Sequence, residues 1–257
     1  MNYFQLIAKI KNINNTQITN PFSFDALFRI TSYYVTPLFI YLKFTPNVVT
    51  YLSLSIGICG AMILYIFGYE YVEWSILLFF MHIIIDYCDG NTARFYGTST
   101  FFGRFIDGLF NILIVSLFQI SMFLVLVSNI YIEDSILTHY ISYNTIIYIS
   151  LLSIVLYPAQ HFIYDRYSSH IRWINEEHGT KLFPSIKQLI SFRIIHLLDN
   201  IHYLSLLFIM YYIDLIFINL LVNLILSTIL IPLHIYYSSI YMQVDANKNH
   251  RVKRSIK

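Results

Sequence analysis

Apolar residues gather along the chain into six long runs that are separated by short polar segments. A helix needs roughly 20 residues to cross the hydrocarbon core of a bilayer, and each run is close to that length. The predicted membrane-spanning helices cover residues 48–67, 72–91, 104–127, 144–162, 197–214 and 216–237. The pattern therefore predicts an all-α, polytopic membrane protein with six transmembrane helices.

Two further segments mix apolar and charged residues, and we expect both to lie at the membrane interface. Residues 22–43 combine aromatic side chains with charged ones, which is typical of an amphipathic helix at the level of the headgroups. Residues 163–195 carry several Lys and Arg residues among apolar ones. We accordingly divide the chain into a cytoplasmic N-terminal arm with an interfacial helix, a six-helix transmembrane domain and a basic cytoplasmic tail, at 1–45, 46–237 and 238–257.

The basic residues indicate how the predicted helices are oriented. The connections near 68–71, 128–143 and 213–216 contain no Lys or Arg, so all 16 basic residues fall on the opposite side. Basic residues accumulate on the cytoplasmic side of membrane proteins, and only an even number of spans preserves this division. Both termini are therefore predicted to be cytoplasmic.

Composition argues against a soluble protein and against a nucleic-acid partner. Charged residues make up 12% of the chain, whereas about 25% is average for soluble proteins. The formal net charge is only +2, so there is no large basic field for nucleic acid. Cys59 and Cys88 both fall in apolar helical stretches, and no disulfide framework is implied.

Three aspartates flank the short connection between the second and third predicted spans. Asp86 and Asp89 share one face of a helix, and Asp107 lies on one stripe with Gly103 and Asn111. Carboxylates at the edge of a membrane are costly unless positive charge is close to them. Two facing stripes would gather the carboxylates around one or two hard cations, and Mg²⁺ or Mn²⁺ prefers such oxygen ligands.

Small and basic residues beside these aspartates suit a phosphate ligand. Gly90 directly follows Asp89, so a ligand can approach the backbone without meeting a Cβ atom. Ala93 extends this small surface, and Arg94 offers a planar fork that matches phosphate oxygens. The cluster therefore predicts a site for a phosphate ester that is bridged by metal.

The run Asp86-x2-Asp89-Gly90-x2-Ala93-Arg94-x8-Gly103-x3-Asp107-x3-Asn111 resembles the signature of the CDP-alcohol phosphotransferases. That signature ends in a fourth aspartate where this chain has Asn111. Pro46-Asn47-x2-Thr50, just before the first span, is similar to a second motif of the family. Its members move a substituted phosphate from a CDP-alcohol to an acceptor hydroxyl and release CMP, in phospholipid or related glycoconjugate synthesis.

The resemblance implies a role for each matched residue. The three aspartates would bind the metals, expected to be two Mg²⁺ or Mn²⁺ ions, and Arg94 would be catalytic. The residues expected to line the CDP-alcohol pocket are Asn47, Thr50, Gly90, Ala93 and Gly103. The resemblance also implies a lipid or small phosphorylated alcohol as acceptor and a homodimer. We expect a location in a bacterial inner membrane, with the active site on the cytoplasmic side.

Asn111 stands where the family has both a metal contact and the proposed general base. A carboxamide can bind a metal through its oxygen, but it is not basic enough to accept a proton near neutral pH. Loss of a positioned base typically costs about 10²–10⁴-fold in rate. Three interpretations stay open: a slowed enzyme, an enzyme whose base is elsewhere, and a protein that binds CDP-alcohol without turnover. His82, one turn before Asp86, is the candidate for a relocated base, although such a histidine is more often a core residue.

The acceptor side is expected near the inner ends of the fourth and fifth spans. Arg166, Arg172 and Arg193 lie there and could bind a phosphorylated acceptor. The alternative is that these arginines only reflect the basic bias of the cytoplasmic side or pair with lipid headgroups. Acidic residues in a membrane also occur in transporters, but the second half of the chain has no counterpart to the aspartate cluster.

Overall fold

The computed structural model describes residues 2–14, 23–130, 140–178 and 190–241. These ranges form α-helices and contain no strand, which confirms the all-α fold class. The helices are α1 (Tyr3–Ile13), α2 (Phe24–Tyr41), α3 (Pro46–Phe67), α4 (Val72–Tyr96), α5 (Phe101–Ile130), α6 (Tyr143–His178), α7 (Ile190–Ile209) and α8 (Leu215–Tyr241).

Four stretches of the described chain are long and apolar enough to cross a membrane. They are Pro46–Tyr96, Phe101–Asn129, Tyr143–Tyr167 and Leu215–Tyr236. The first stretch contains both α3 and α4, which a short 3₁₀ turn at Gly68–Tyr71 joins into a hairpin. In α7 the apolar described part is limited to Asn200–Ile209, which is shorter than a bilayer crossing requires. The count of six spans therefore stays a prediction.

Small residues let α3 and α4 pack closely against each other. A Cβ atom on Gly60 would lie 3.1 Å from the carbonyl oxygen of Ser75, so the two backbones approach within van der Waals contact. The Ser75 hydroxyl donates a 2.7 Å hydrogen bond to the Gly60 carbonyl. Gly68 at the turn has φ of +71°, a left-handed conformation that glycine adopts without strain. Close approach at small residues is the usual basis of helix packing in membranes.

The helix α5 packs mainly on α3 and α6 rather than along α4. It reaches α4 through side chains, as in the stacked rings of Phe79 and Phe118, whose centroids are 4.4 Å apart. These residues belong to a core that also includes Leu64, Ile114 and Leu206. Side chains of α3, α4 and α5 thus share one apolar core.

Several helix boundaries differ from the sequence prediction, most of all at the fourth and fifth predicted spans. The fourth predicted span ends at 162, but α6 continues without interruption to His178, where Gly179 follows. The first half of the predicted interfacial segment 163–195 is therefore an extension of α6, because no glycine or proline occurs between 163 and 178 to end it. The fifth predicted span, 197–214, corresponds to α7, which begins earlier, at Ile190, and ends at Ile209, ahead of the turn that leads into α8.

The N-terminal arm forms a helix that the sequence analysis did not predict. Asn2 and Gln5 make a reciprocal capping box at the start of α1, and Lys11 is in its last turn. Leu6, Ile7 and Ile10 are buried against the rest of the protein, where α1 packs on α2 and α4. The next helix, α2, matches the predicted segment 22–43 closely.

Candidate metal and phosphate site

The candidate site lies where α4 ends and α5 begins. Gly97 closes α4 in a left-handed conformation, with φ of +67°, and α5 starts at Phe101. Asp89 precedes the end of α4, and Asp107 follows the start of α5, by nearly the same number of residues. At about 1.5 Å per residue, both carboxylates lie roughly 10 Å from the connecting turn. The two carboxylates are therefore at a similar distance from the turn that connects α4 and α5.

The carboxylates of Asp86, Asp89 and Asp107 converge. Each offers one oxygen atom, and these atoms all lie within 4.8 Å of one another. Asp89 is buried at 7% exposure, and the other two are half-buried. Three carboxylates at this separation repel one another unless a cation compensates them. An all-oxygen donor set of this kind fits the hard divalent ions Mg²⁺ and Mn²⁺.

Hydrogen bonds from two neighbours orient the carboxylates. The Thr50 hydroxyl donates to Asp89 Oδ2 at 2.6 Å and is also 3.1 Å from the Pro46 carbonyl. Asn111 Nδ2 donates to Asp86 Oδ2 at 3.2 Å and to Asp107 Oδ1 at 3.0 Å. Asn111 therefore bridges two of the three aspartates as a neutral donor.

A cavity of about 280 Å³ opens beside the aspartates, near the lower end of the range of small-molecule sites, roughly 300–1,000 Å³. Its walls come from α3, α4, α5 and the turn between the last two. All five residues that the resemblance assigns to the CDP-alcohol pocket line it, together with Arg94, Asp89 and Asp107. The structure thus brings the sequence-predicted residues around one space. The five pocket residues are Asn47, Thr50, Gly90, Ala93 and Gly103.

The cavity also has lining residues that sequence reasoning missed. Arg104 and the turn residues Thr98, Ser99 and Thr100 contribute to its wall. The Thr100 hydroxyl accepts a 3.0 Å hydrogen bond from the Gly103 backbone N–H. Arg104, one residue after Gly103, adds a second guanidinium. Arg104 lies inside the motif, between Gly103 and Asp107, and this position was the signal that could have identified it.

Gly90 makes room for the guanidinium of Arg94. A Cβ atom at Gly90 would lie 3.2 Å from Nη2 and 3.3 Å from Nη1 of Arg94. The arginine therefore lies over the glycine, one helical turn away, at the wall of the cavity. A larger residue at position 90 would displace it.

His82 is engaged between α3 and α4. Its Nδ1 atom is 2.7 Å from the Ser53 hydroxyl and 3.1 Å from the Ser53 carbonyl. The Ser53 hydroxyl also lies 3.0 Å from the His82 carbonyl, and His82 is 3% exposed. These contacts suit a hydrogen-bonded core histidine, and the cavity is lined by other residues.

The structure shows only part of the predicted acceptor region. Arg166 is exposed, and its guanidinium lies 5.1 Å from the ring centroid of Phe162. The side chains of Arg172 and Arg193 lie outside the part of the chain that the structure describes. Asp165 is a neighbour that the sequence analysis missed: a Cβ atom on Gly108 would lie 2.9 Å from its Oδ1 atom. A fourth carboxylate therefore contacts α5 beside Asp107.

Comparison with known proteins identifies the family. The family model for CDP-alcohol phosphatidyltransferase matches residues 43–176, just over half of the chain. A search of the curated proteins finds no significant match. The matched range contains α3, α4 and α5, and hence the three aspartates and every pocket residue named above. The chain belongs to the CDP-alcohol phosphatidyltransferase family.

Proposed function

We propose that the protein transfers a substituted phosphate group from a CDP-alcohol to an acceptor hydroxyl and releases CMP. Family membership implies transfer of a phosphatidyl-type group from a CDP-alcohol. One observation supports a competent site above all others. Three carboxylates have oxygen atoms within 4.8 Å of one another, and two of them, Asp89 and Asp107, line a cavity together with glycine, alanine and arginine residues.

In this proposal each residue has a limited task. Asp86, Asp89 and Asp107 hold two Mg²⁺ or Mn²⁺ ions, which would neutralise the diphosphate of the substrate and stabilise the departing CMP. Gly90 and Ala93 admit the substrate close to α4. Arg94 binds a phosphate oxygen through its planar fork. Positioning and charge neutralisation supply most of the rate in such a reaction.

The remaining pocket residues support the nucleotide and the aspartates. Asn47, Thr50 and Gly103 line the same cavity from α3 and α5. Thr50 additionally fixes the orientation of Asp89. We propose Arg104 as a second cationic group on the α5 wall of the cavity.

The contacts of Asn111 favour a second candidate function, binding of CDP-alcohol with little or no turnover. Its amide nitrogen faces Asp86 and Asp107, and a carboxamide does not act as a base. In the slowed enzyme, divalent ions held by the three aspartates would activate the acceptor hydroxyl in place of a positioned base. The two candidates differ in CMP release and not in substrate affinity.

For the membrane arrangement, we propose six spans with both termini and the site on the cytoplasmic side. The absence of Lys and Arg from the connections at 68–71, 128–143 and 213–216 supports this orientation. We also propose that the protein is located in a bacterial inner membrane and that it forms a homodimer. Exposed Arg166, together with Arg172 and Arg193, is proposed to bind the acceptor.

The decisive experiment measures CMP release from CDP-diacylglycerol by the purified protein in lipid nanodiscs with Mn²⁺ and a panel of acceptor alcohols. The proposal predicts release that depends on both metal and acceptor, and an increase of roughly 10²-fold or more in Asn111→Asp. Binding of CDP-diacylglycerol without release, with release appearing in Asn111→Asp, would instead establish the binding function. Neither binding nor release in either protein would reject both.

A further inference from the structure

The N-terminal helix α1 reaches the candidate site through one buried residue, Asn14. Asn14 ends α1 and is 1% exposed. Its Oδ1 atom accepts a hydrogen bond from Nε of Arg94, and its Nδ2 atom donates to the Ile10 carbonyl at 2.8 Å. The side chain is thus fixed at both ends, with its acceptor directed at the arginine of the cavity wall.

A second asparagine, Asn91, accepts another hydrogen bond from the same guanidinium. Asn91 Oδ1 accepts from Arg94 Nη2 at 3.1 Å. Asn91 Nδ2 in turn donates to the hydroxyls of Ser32 at 2.9 Å and Thr36 at 3.1 Å. Asn91 belongs to α4, and both hydroxyls belong to α2, so α1 and α4 each supply one anchor of Arg94 and α2 supports the second anchor.

These anchors use two of the five N–H groups of the guanidinium, and neither Asn14 nor Asn91 is among the residues that line the cavity. The remaining N–H groups belong to Nη1 and Nη2, the atoms that lie over Gly90. A free arginine side chain loses rotamer entropy when it binds a phosphate. Anchoring Nε in advance reduces that cost and holds the guanidinium at the cavity wall.

Several contacts keep α1 in the position that this requires. Its own side chains Leu6, Ile7 and Ile10 are buried. Lys11 Nζ lies 2.8 Å from the Tyr34 hydroxyl of α2, and Lys9 lies 4.6 Å from the Phe95 ring centroid of α4. The helix is therefore attached to α4, which carries Arg94 and Asn91, and to α2, which supports Asn91.

We propose that Asn14 is a positioning residue for the phosphate site, and that α1 is part of the substrate-binding apparatus through its contact with Arg94. This inference rests on the proposed function only in assuming that the cavity binds the diphosphate of a cytidine nucleotide. Asn14 lies outside the residues that the family model matches. The role thus belongs to a part of the chain that the family comparison does not cover.

The test is a double-mutant cycle on binding, with CDP and Mn²⁺ as probes and the full-length protein in nanodiscs. Asn14→Ala, Arg94→Ala and the double variant are compared with the unchanged protein. We expect Asn14→Ala to weaken CDP binding roughly tenfold, since a hydrogen bond to a charged group is removed. In the Arg94→Ala background the same change should have almost no effect, because its target is gone.

Two controls separate positioning from folding. Asn12→Ala alters an exposed asparagine of the same helix and should leave CDP affinity unchanged. Mn²⁺ affinity in the absence of CDP should also be unchanged in Asn14→Ala. If Asn14→Ala does not fold, Asn14→Gln replaces it in the same cycle. Glutamine keeps a polar group but moves the acceptor oxygen by one methylene, away from its position against Arg94.

An equal loss of CDP affinity with and without Arg94, or no loss at all, would overturn the inference. A parallel loss of Mn²⁺ affinity would overturn it as well, because it would indicate general damage to the site. These outcomes are distinct from failure of the proposed function. A protein that binds CDP but never releases CMP would disprove turnover and still permit the cycle to be measured.

Discussion

The hydroxyl of Thr50 donates a 2.6 Å hydrogen bond to the carboxylate of Asp89 across the interface between α3 and α4. The helix that begins at Pro46 therefore controls the orientation of a proposed metal ligand on its neighbour. Partners that orient metal ligands in this way typically contribute 10- to 100-fold to metal affinity. The contact links the two sequence motifs that carried the family resemblance.

Thr50→Val should weaken Mn²⁺ binding roughly 10- to 100-fold while preserving side-chain shape. The reason is loss of the hydrogen bond that fixes Asp89 Oδ2. Titration of Mn²⁺ followed by electron paramagnetic resonance measures the effect. Thr31→Val is the matched control, because Thr31 also bonds to the carbonyl four residues earlier, at 2.8 Å, but is in α2. Equal affinities in the two variants would show that Thr50 does not orient the ligand.

Asp107→Asn should weaken divalent metal binding by more than the change at Thr50, because it removes a proposed ligand and one of three negative charges. The same titration applies, with the thermal midpoint of unfolding measured alongside. Asp214→Asn, in the turn before α8, provides the control and should retain full affinity. Unaltered Mn²⁺ binding in Asp107→Asn would remove α5 from the metal site.

Gly90→Ala should change stability and binding in opposite directions. In a helix, alanine is favoured over glycine by about 0.5–1 kcal/mol, so α4 itself becomes more stable. The new Cβ atom would lie 3.2 Å from Arg94 Nη2, so the guanidinium would have to shift by a few tenths of an ångström from the position in which Asn14 and Asn91 hold it. We expect CDP affinity to fall several-fold while the unfolding midpoint does not fall. A variant that binds CDP normally would show that the Arg94 position observed here is not required.

Gly60→Ala should destabilise the α3–α4 hairpin by about 1–3 kcal/mol, the usual cost of overpacking. Its Cβ atom would meet the backbone carbonyl of Ser75 at 3.1 Å, and backbone cannot move aside as a side chain does. In Gly57→Ala the Cβ atom would lie 2.8–3.0 Å from three side-chain atoms of the fully buried Ile114, so this variant should also be destabilised. Thermal unfolding in detergent compares the two, and Ser55→Ala on the exposed side of α3 is the control. An unfolding midpoint in Gly60→Ala as high as that of the Ser55→Ala control would contradict the packing described here.

The part of the site that was predictable from sequence is the part with helical spacing. Asp86 and Asp89, and likewise Asp107 and Asn111, are close in sequence, so the helix period alone places each pair on one face. Apolar run lengths similarly predicted α3, α4 and α5 to within a few residues. Helix period and run length are local properties of the sequence, so they can be used without knowledge of the tertiary structure.

The missed features depend on contacts between distant parts of the chain. Asn14 and Arg94 are 80 residues apart, and Asp165 lies against Gly108 from another helix. The helix α1 itself carried a local signal, the Asn2 and Gln5 capping box followed by buried Leu6 and Ile10. With 11 residues, α1 is shorter than a membrane span, so the length of the apolar runs does not reveal it.

The central claim is that the aspartate cluster holds a divalent ion against the diphosphate of a cytidine nucleotide. Electron–nuclear double resonance of Mn²⁺ bound to the protein in the presence of CDP tests it most directly, through the hyperfine coupling between manganese and phosphorus. The account predicts a strong phosphorus coupling in the unchanged protein and its loss in Asp107→Asn. Bound Mn²⁺ without phosphorus coupling, while CDP is shown to be bound, would contradict the account.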